Sequence, residues 1–175
     1  AGICSVTSLG HLSDAEGGHL LEHHQNLAMR FAKTHTVLID EPLDALVISA
    51  GGAPHDRDLV QVHKTLLNAS RVMREGGRIA LVAACEPSRE NAGFIQQVAS
   101  MTAAEHQESL SYHFTIRNQT CASFRNMTER YNVAFLSKLS DDDTRRMNMR
   151  PLASVNDALA FAERPGDIMI STDGA

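Results

Sequence analysis

Short apolar runs alternate with longer amphipathic stretches along most of the chain. The apolar runs are rich in β-branched residues and predict strands at 34–40, 44–50, 78–85, 132–137 and 167–172. The amphipathic stretches carry apolar residues at helical spacing and predict helices at 15–34, 58–75, 86–101, 118–130 and 154–164. Residues 141–148 begin with three aspartates, which favours a short helix or turn because acidic side chains stabilise a helix N-terminus.

This alternation of strands and helices predicts an α/β fold. We expect a mainly parallel sheet with helices on both faces, because right-handed crossovers place a helix between successive strands. Such a three-layer fold is Rossmann-like, but no G-x-G-x-x-G dinucleotide fingerprint follows a strand. Residues 1–14 show little periodicity and are interpreted as a lead-in segment, and residues 15–175 as a single domain.

Composition and charge exclude several classes of protein. The formal net charge is −5 and no run of Lys or Arg is present, so binding to nucleic acid is not expected. The apolar runs are too short to cross a bilayer, and no signal peptide is visible. Three widely spaced cysteines without a Cys-x-x-Cys pair suit a reducing compartment, so we expect a cytoplasmic protein. The chain begins with Ala-Gly rather than Met, which suggests a part of a longer protein.

A chemically unusual junction, SAGGAPHDRDLVQVHKTLL, follows the second predicted strand. In open α/β sheets, ligands bind beyond the carboxyl ends of the strands. Gly51 and Gly52 allow a ligand to approach the backbone closely, and Asp56 or Asp58 can cap the following helix. The N–H groups at such a helix start favour a carboxylate or a phosphate.

One face of that helix is polar at its beginning. At about 100° per residue, Arg57, Gln61 and Lys64 fall close together, opposite an apolar face. Two cations and an amide suit a carboxylate or a hydroxy acid. The alternative interpretation is an ordinary solvated helix face after a glycine turn. His55, in the same loop, either binds an anion or transfers a proton, or is simply an exposed loop residue.

Other candidate groups carry weaker signals. His19, His23 and His24 lie on one predicted helix, but no third ligand is evident, so a solvated helix face is expected and no metal site is predicted. Cys85 is interpreted as a buried free cysteine. Arg89 and Glu90 begin a helix at a strand end, and the sequence does not decide whether they line a cleft.

The segment from Asp44 to Ser88 resembles the C-terminal domain of the nickel-pincer lactate racemase family. The family pattern is a strand ending in Gly-Gly-x-Pro-x-Asp, a helix with Gln-x-x-Lys, then Gly-Gly and another apolar strand. This chain carries all of these positions: Gly51, Gly52, Pro54, Asp56, Gln61, Lys64, Gly76 and Gly77. The closing segment from Asn132 is also similar to the family's last strand–helix–strand unit, so the resemblance covers about residues 15–175.

The resemblance implies a two-domain racemase or epimerase of lactate or a related 2-hydroxy acid. Its reaction is hydride abstraction at the hydroxyl-bearing carbon, followed by return of the hydride. The cofactor is a nickel-pincer nucleotide held by the family's N-terminal domain, so no cofactor ligand is identified in this chain. That domain is the expected partner, and the chain alone would be inactive.

By the same match, Gln61 and Lys64 are the expected catalytic residues. The loop before them is expected to bind the substrate through Gly51, Gly52, His55, Asp56 and Arg57. Val60 stands where family members often carry Tyr, and the chain has no Trp, so a 2-hydroxy acid or sugar acid other than lactate is expected. The alternative function is a stand-alone, non-enzymatic α/β module that binds a small carboxylate or a nucleotide.

Overall fold

The chain folds into two compact units, Ala1–Asp40 and Glu41–Ala175. The computed structural model of the protein describes residues 2–8, 11–36, 38–163, 168–172 and 174, with the side chains of 2–17, 34, 35 and 168 left aside. The sequence predicted a boundary after residue 14, whereas the structure divides the chain after residue 40. Residues 15–40 therefore belong to the first unit. No described helix has the length and apolar character that a bilayer crossing requires.

The first unit is a β-hairpin with one helix packed on it. Strands β1 (Gly2–Ser8) and β2 (His11–Gly18) pair in antiparallel fashion, and helix α1 (Leu20–His35) contacts both. The helix predicted from residue 15 therefore begins later. Gly18 separates strand from helix at φ +147°, and a side chain there would collide with the ring of His23.

The strand predicted at 34–40 was wrong over the described residues. Helix α1 continues through His35, and residues 36 and 38–40 form no strand, while residue 37 lies outside the described part of the chain. Leu38, an apolar residue of this run, is 88% exposed.

The second unit contains a five-stranded sheet and the remaining described helices. The strands are β3 (Leu43–Ser49), β4 (Met73–Val82), β5 (Asn132–Leu136), β6 (Arg150–Leu152) and β7 (Ile168–Ser171). The helices are α2 (Leu59–Ser70), α3 (Arg89–Ala99), α4 (Ala103–Leu110), α5 (Ile116–Arg130), α6 (Asp141–Arg146) and α7 (Val155–Ala162). The sequence pattern did not predict β6 or α4.

All neighbouring strands of this sheet are parallel, in the order β6-β5-β4-β3-β7. Alternate residues of a strand point to opposite faces. Ala45 and Val47 of β3 pack with Ala158 and Ala162 of α7. The residues between them point to the other face, where α2 packs on β3 and β4. The predicted α/β class, with a parallel sheet and helices on both faces, is therefore confirmed.

Helix α2 is shorter than its apolar pattern predicted. It ends at Ser70, and Met73 already pairs with Leu43 at the start of β4. The register then shifts, so that Arg78 is the next residue of β4 to face β3. Gly76 and Gly77 lie in this irregular stretch and do not cap the helix, which corrects the prediction. A side chain at Gly77 would lie 2.8 Å from the backbone oxygen of Arg74.

Candidate functional site

The candidate site lies at the carboxyl edge of the sheet, where the strand order reverses. The chain adds β4, β5 and β6 on one side of β3 and then places β7 on the other side. Crevices at such reversal points are the usual ligand sites of open α/β sheets. The junction that the sequence singled out follows β3 directly and therefore lies at this point.

The two glycines of the junction have backbone angles that favour glycine. Gly51 and Gly52 both have φ of +82°. No heavy atom lies within 4 Å of the position that a Cβ of Gly52 would occupy, so the loop is open on that side. The Gly51 N–H donates to the Ser49 hydroxyl at 3.1 Å, and the Ala53–Pro54 peptide bond is cis.

Gly174 occupies part of the reversal point. Its N–H donates to the Ser49 carbonyl at 2.8 Å, and its carbonyl accepts from the Asn68 side chain at 3.2 Å. A Cβ on Gly174 would lie 2.4 Å from the Ile48 side chain and 2.9 Å from that of Thr65. The backbone at Gly174 thus lies directly against the end of β3 and against α2.

Two of the N–H donors at the start of helix α2 are already occupied. The Asp58 carboxylate caps the helix and accepts from the Gln61 N–H at 2.9 Å. The Leu59 N–H donates to the side-chain oxygen of Asn91, also at 2.9 Å. Of the two aspartates that the sequence offered as caps, Asp58 is therefore the one that caps α2. Two of the N–H groups that were expected to meet an anion serve the fold instead.

Asp56 connects two loops of the carboxyl edge. Its carbonyl accepts from the Cys85 N–H at 2.8 Å, and its carboxylate accepts from the Ala84 N–H at 3.3 Å. The loop after β3 is thereby fixed to the loop after β4. This arrangement gives the Asp56 carboxylate a structural partner, which its expected role in substrate binding did not include.

Gln61 and Lys64 form a pair on the outer side of α2. The Lys64 ammonium group lies 2.8 Å from Oε1 of Gln61. An ammonium group has no acceptor, so the atom that faces it must be the amide oxygen. The amide nitrogen of Gln61 and the remaining N–H groups of Lys64 are then free to donate outward. Lys64 is exposed and Gln61 half-buried, so the pair presents hydrogen-bond donors to solvent.

The other predicted loop residues are less tightly placed. Arg57 lies before the helix, its side chain is 75% exposed, and its guanidinium is 3.7 Å from the Asp58 carboxylate. His55 is exposed, and its backbone N–H donates to the Gly52 carbonyl. The structure thus brings Gln61 and Lys64 together, with Arg57 at the exposed entrance to the same helix.

His63 is a packing residue between two helices. Its Nε2 lies 2.9 Å from the Ser123 hydroxyl of α5. Burial, and then the neighbouring Lys64, lower the pKa of His63 below its ordinary value, so the ring is neutral at neutral pH. This contact fixes α2 beside α5 one residue before Lys64.

The remaining candidates of the second unit lie around the same edge. Arg89 and Glu90 are exposed in the first turn of α3. Glu86 forms an ion pair with Lys138, which connects the loops after β4 and β5. Over the described residues, no three His, Cys, Asp or Glu side chains converge as a metal site would require. In the first unit, His19 is the residue before α1 and His24 lies on α1, and both are exposed.

Cys85 is buried in the loop after β4 and has a positive φ of 38°. Burial raises the pKa of its thiol to about 12, and Asp58 and Asp56 act in the same direction; burial also raises the pKa of the Cys121 thiol to about 11. Both groups are therefore protonated and unreactive at neutral pH, as expected for structural cysteines.

We predict that neither buried thiol reacts with Ellman's reagent at pH 8 while the protein is folded. In a Cys4→Ser variant, Cys85 should react at least about 1,000-fold and Cys121 at least about 100-fold more slowly than in the denatured chain, because thiolate is the reacting species. The unfolded thiols ionise at lower pH than the folded ones, so stability should also fall as the pH rises above about 9. Rapid reaction of one thiol in the folded protein would contradict the burial of that residue.

Asn91 was missed as a site residue by sequence reasoning. Its side chain is 2% exposed and lies between the start of α2 and the loop after β4. A signal was available, since Asn91 shares the buried face of α3 with Phe94, Ile95 and Val98 at helical spacing. A polar residue on an apolar helix face requires hydrogen-bond partners, and here they come from the site.

The model of the lactate racemase C-terminal domain matches residues 39–174 of the chain. The chain belongs to the lactate racemase C-terminal domain family. The resemblance inferred from the Gly-Gly-x-Pro-x-Asp and Gln-x-x-Lys motifs is thereby confirmed. No match to a curated protein sequence is found.

Solved structures share the fold at low sequence identity. The lactate racemase apoprotein from Thermoanaerobacterium thermosaccharolyticum matches with a TM-score of 0.85 and 20% identity over 98% of this chain. A protein from Thermotoga maritima matches with a TM-score of 0.59 and 15% identity over 88% of this chain. The chain spans 44% and 41% of the lengths of these two proteins.

Proposed function

We propose that this chain is the substrate-cleft domain of a racemase or epimerase that acts on a 2-hydroxy acid. The proposal rests on the family membership and on one geometric observation, the contact between the Lys64 ammonium and the Gln61 amide oxygen. In that contact, the amide nitrogen of Gln61 and the remaining N–H groups of Lys64 can donate outward. Donors beside a positive charge suit the carboxylate and hydroxyl oxygens of a 2-hydroxy acid.

In this proposal, Lys64 attracts the substrate carboxylate, and Gln61 donates a hydrogen bond to one of the substrate oxygens. Arg57 adds positive charge at the exposed start of α2. The Gly51–Gly52 loop leaves room for the ligand, because no side chain projects from it. Asp56 and Asp58 hold the loop and the helix start in place. The residues of this chain thus bind and orient the substrate.

The reaction itself needs chemistry that these residues do not supply. A nickel-pincer nucleotide would accept and return the hydride, but the described residues offer no converging set of nickel ligands. The described residues of this edge therefore do not fit that group. We propose that the N-terminal domain of the same two-domain enzyme holds it.

The test is a racemisation assay on the two-domain enzyme loaded with its cofactor. Single enantiomers of lactate and of larger 2-hydroxy acids serve as substrates, and chiral chromatography follows loss of enantiomeric excess. We expect turnover by the complete enzyme and none by this chain alone. Micromolar binding of a carboxylate or a nucleotide to the isolated chain, with no turnover in the complete protein, would overturn the proposal and indicate a binding module.

A further inference from the structure

We propose that Asn91 is a positioning residue that sets the location of Gln61 and Lys64. The proposal rests on the proposed function, since it concerns how that site is built. Asn91 belongs to α3, not to the helix that carries the pair, and it does not face the solvent. Its influence on the reaction would therefore be exerted through the start of α2.

The side-chain amide of Asn91 makes two hydrogen bonds of opposite sense. Its oxygen accepts from the Leu59 N–H at 2.9 Å, and its nitrogen donates to the Glu86 carbonyl at 2.8 Å. One planar group therefore fixes the first residue of α2 relative to the loop after β4. The backbone N–H of Asn91 donates to the Ser88 hydroxyl, which caps α3 beside these two contacts.

No other group can replace this amide without movement. The first N–H groups of a helix have no partner within the helix. Leu59 is 0% exposed, so water does not reach it in place of Asn91. Removing the amide leaves the buried Leu59 N–H without a partner and releases the Glu86 carbonyl, and the first turn of α2 must shift to give that N–H a new acceptor.

The position of this turn matters because Gln61 lies in it. Gln61 is two residues after Leu59, and its N–H is held by Asp58, the residue just before Leu59. A shift of the turn moves the Gln61 amide together with the Lys64 ammonium that it binds. A displacement of about 1 Å at a reacting site can lower the rate by about 100-fold.

The test is a double-mutant cycle in the complete, cofactor-loaded enzyme. We expect Asn91→Ala to lower kcat/KM by about 10- to 100-fold. In a Gln61→Ala, Lys64→Ala background, the same substitution should lower it by less than about 2-fold, because the groups that it positions are gone. An equal loss in both backgrounds, or no loss in the first, would overturn the proposal.

Two further variants separate positioning from mere stability. Asn148→Gly removes the hydrogen bond from the Asn148 side chain to the Thr128 carbonyl, at the opposite edge of the sheet. Asn148 has a φ of 63°, which glycine adopts without strain. The substitution should lower the melting temperature but leave kcat/KM unchanged. Asn91→Asp keeps an acceptor for the Leu59 N–H, but the ionised aspartate cannot donate a hydrogen bond to the backbone carbonyl of Glu86. Its activity relative to the parent should rise as the pH falls; a flat ratio would count against the proposal.

A readout independent of activity is hydrogen exchange of this chain. Asn91→Ala should speed exchange of the Leu59 amide at least about 10-fold, while the amides of β5 keep their rates. If Gln61→Ala and Lys64→Ala leave turnover unchanged, the proposed function fails, and this measurement still decides the positioning. An unchanged rate at Leu59 would overturn it.

Discussion

Replacement of Lys64 by alanine in the complete enzyme is expected to lower kcat/KM by about 100- to 1,000-fold, the usual effect of removing one partner of a desolvated charge pair, here with the substrate carboxylate. Lys64 is the cation in direct contact with Gln61, and its stem is exposed, so its removal leaves no cavity. The melting temperature should therefore change little. Steady-state kinetics with a single enantiomer, together with circular dichroism, measures both effects.

Gln61 allows a sharper version of this test. Gln61→Glu keeps the shape and still accepts from Lys64, but it replaces the outward amide donor by a carboxylate oxygen. If the pair binds a carboxylate, this substitution should lower kcat/KM at least as much as Gln61→Ala. Arg71→Ala, which removes an exposed cation at the other end of α2, is the matched control. Parental rates in the Lys64 and Gln61 variants would remove both residues from the site.

Replacement of Phe124 by alanine is expected to destabilise the second unit by about 3 to 5 kcal/mol, as is typical for a buried aromatic residue. Phe124 of α5 is fully buried, and its ring meets that of Phe94 of α3 edge to face, with centroids 5.4 Å apart. This contact joins α3, which carries Asn91, to α5, which carries Ser123. Its loss should therefore also loosen the support of α2.

Urea unfolding at constant temperature measures this effect, with Phe124→Leu as a graded variant of smaller expected loss. Ile116→Ala is the matched control, because Ile116 lies on the same helix and is 78% exposed. It should change the free energy of unfolding by less than about 0.5 kcal/mol. If Phe124→Ala lowered the free energy of unfolding as little as Ile116→Ala does, the packing of α3 on α5 would contribute little to stability.

The parts of the fold that the sequence predicted are those encoded by local pattern. The strand at Leu43–Ser49 and the helix after it are a continuous apolar run and an amphipathic repeat, which short-range rules recognise. The helix predicted from residue 154 begins there, with Ser154 as its N-cap. Of the site, the spacing of Gln61 and Lys64 predicted one shared helix face, and their side chains do meet.

What the sequence did not predict depends on long-range contacts. Gly76 and Gly77 follow a helical pattern and look like a helix end, but the pairing of Met73 with Leu43 takes those residues into a strand. Strand β6 has three residues, one of them Pro151, and is defined by its pairing with β5. The partners of Asp56 in the loop after β4 lie 28 or more residues away in the chain, so its role as a connection between loops could not be predicted from local sequence.

The placement of Gly174 has a consequence for how strongly the site can hold an ion. With the backbone lying against β3 and α2, the crevice beside Ile48 is partly filled by polypeptide. A ligand is then left with the outer side of α2, where Lys64 lies in water. The attraction between two charges 4 Å apart is about 1 kcal/mol in bulk water and several-fold larger near ε of about 20. The affinity for a substrate is therefore governed by the dielectric that a covering surface creates over Lys64, more than by the charge of Lys64 itself.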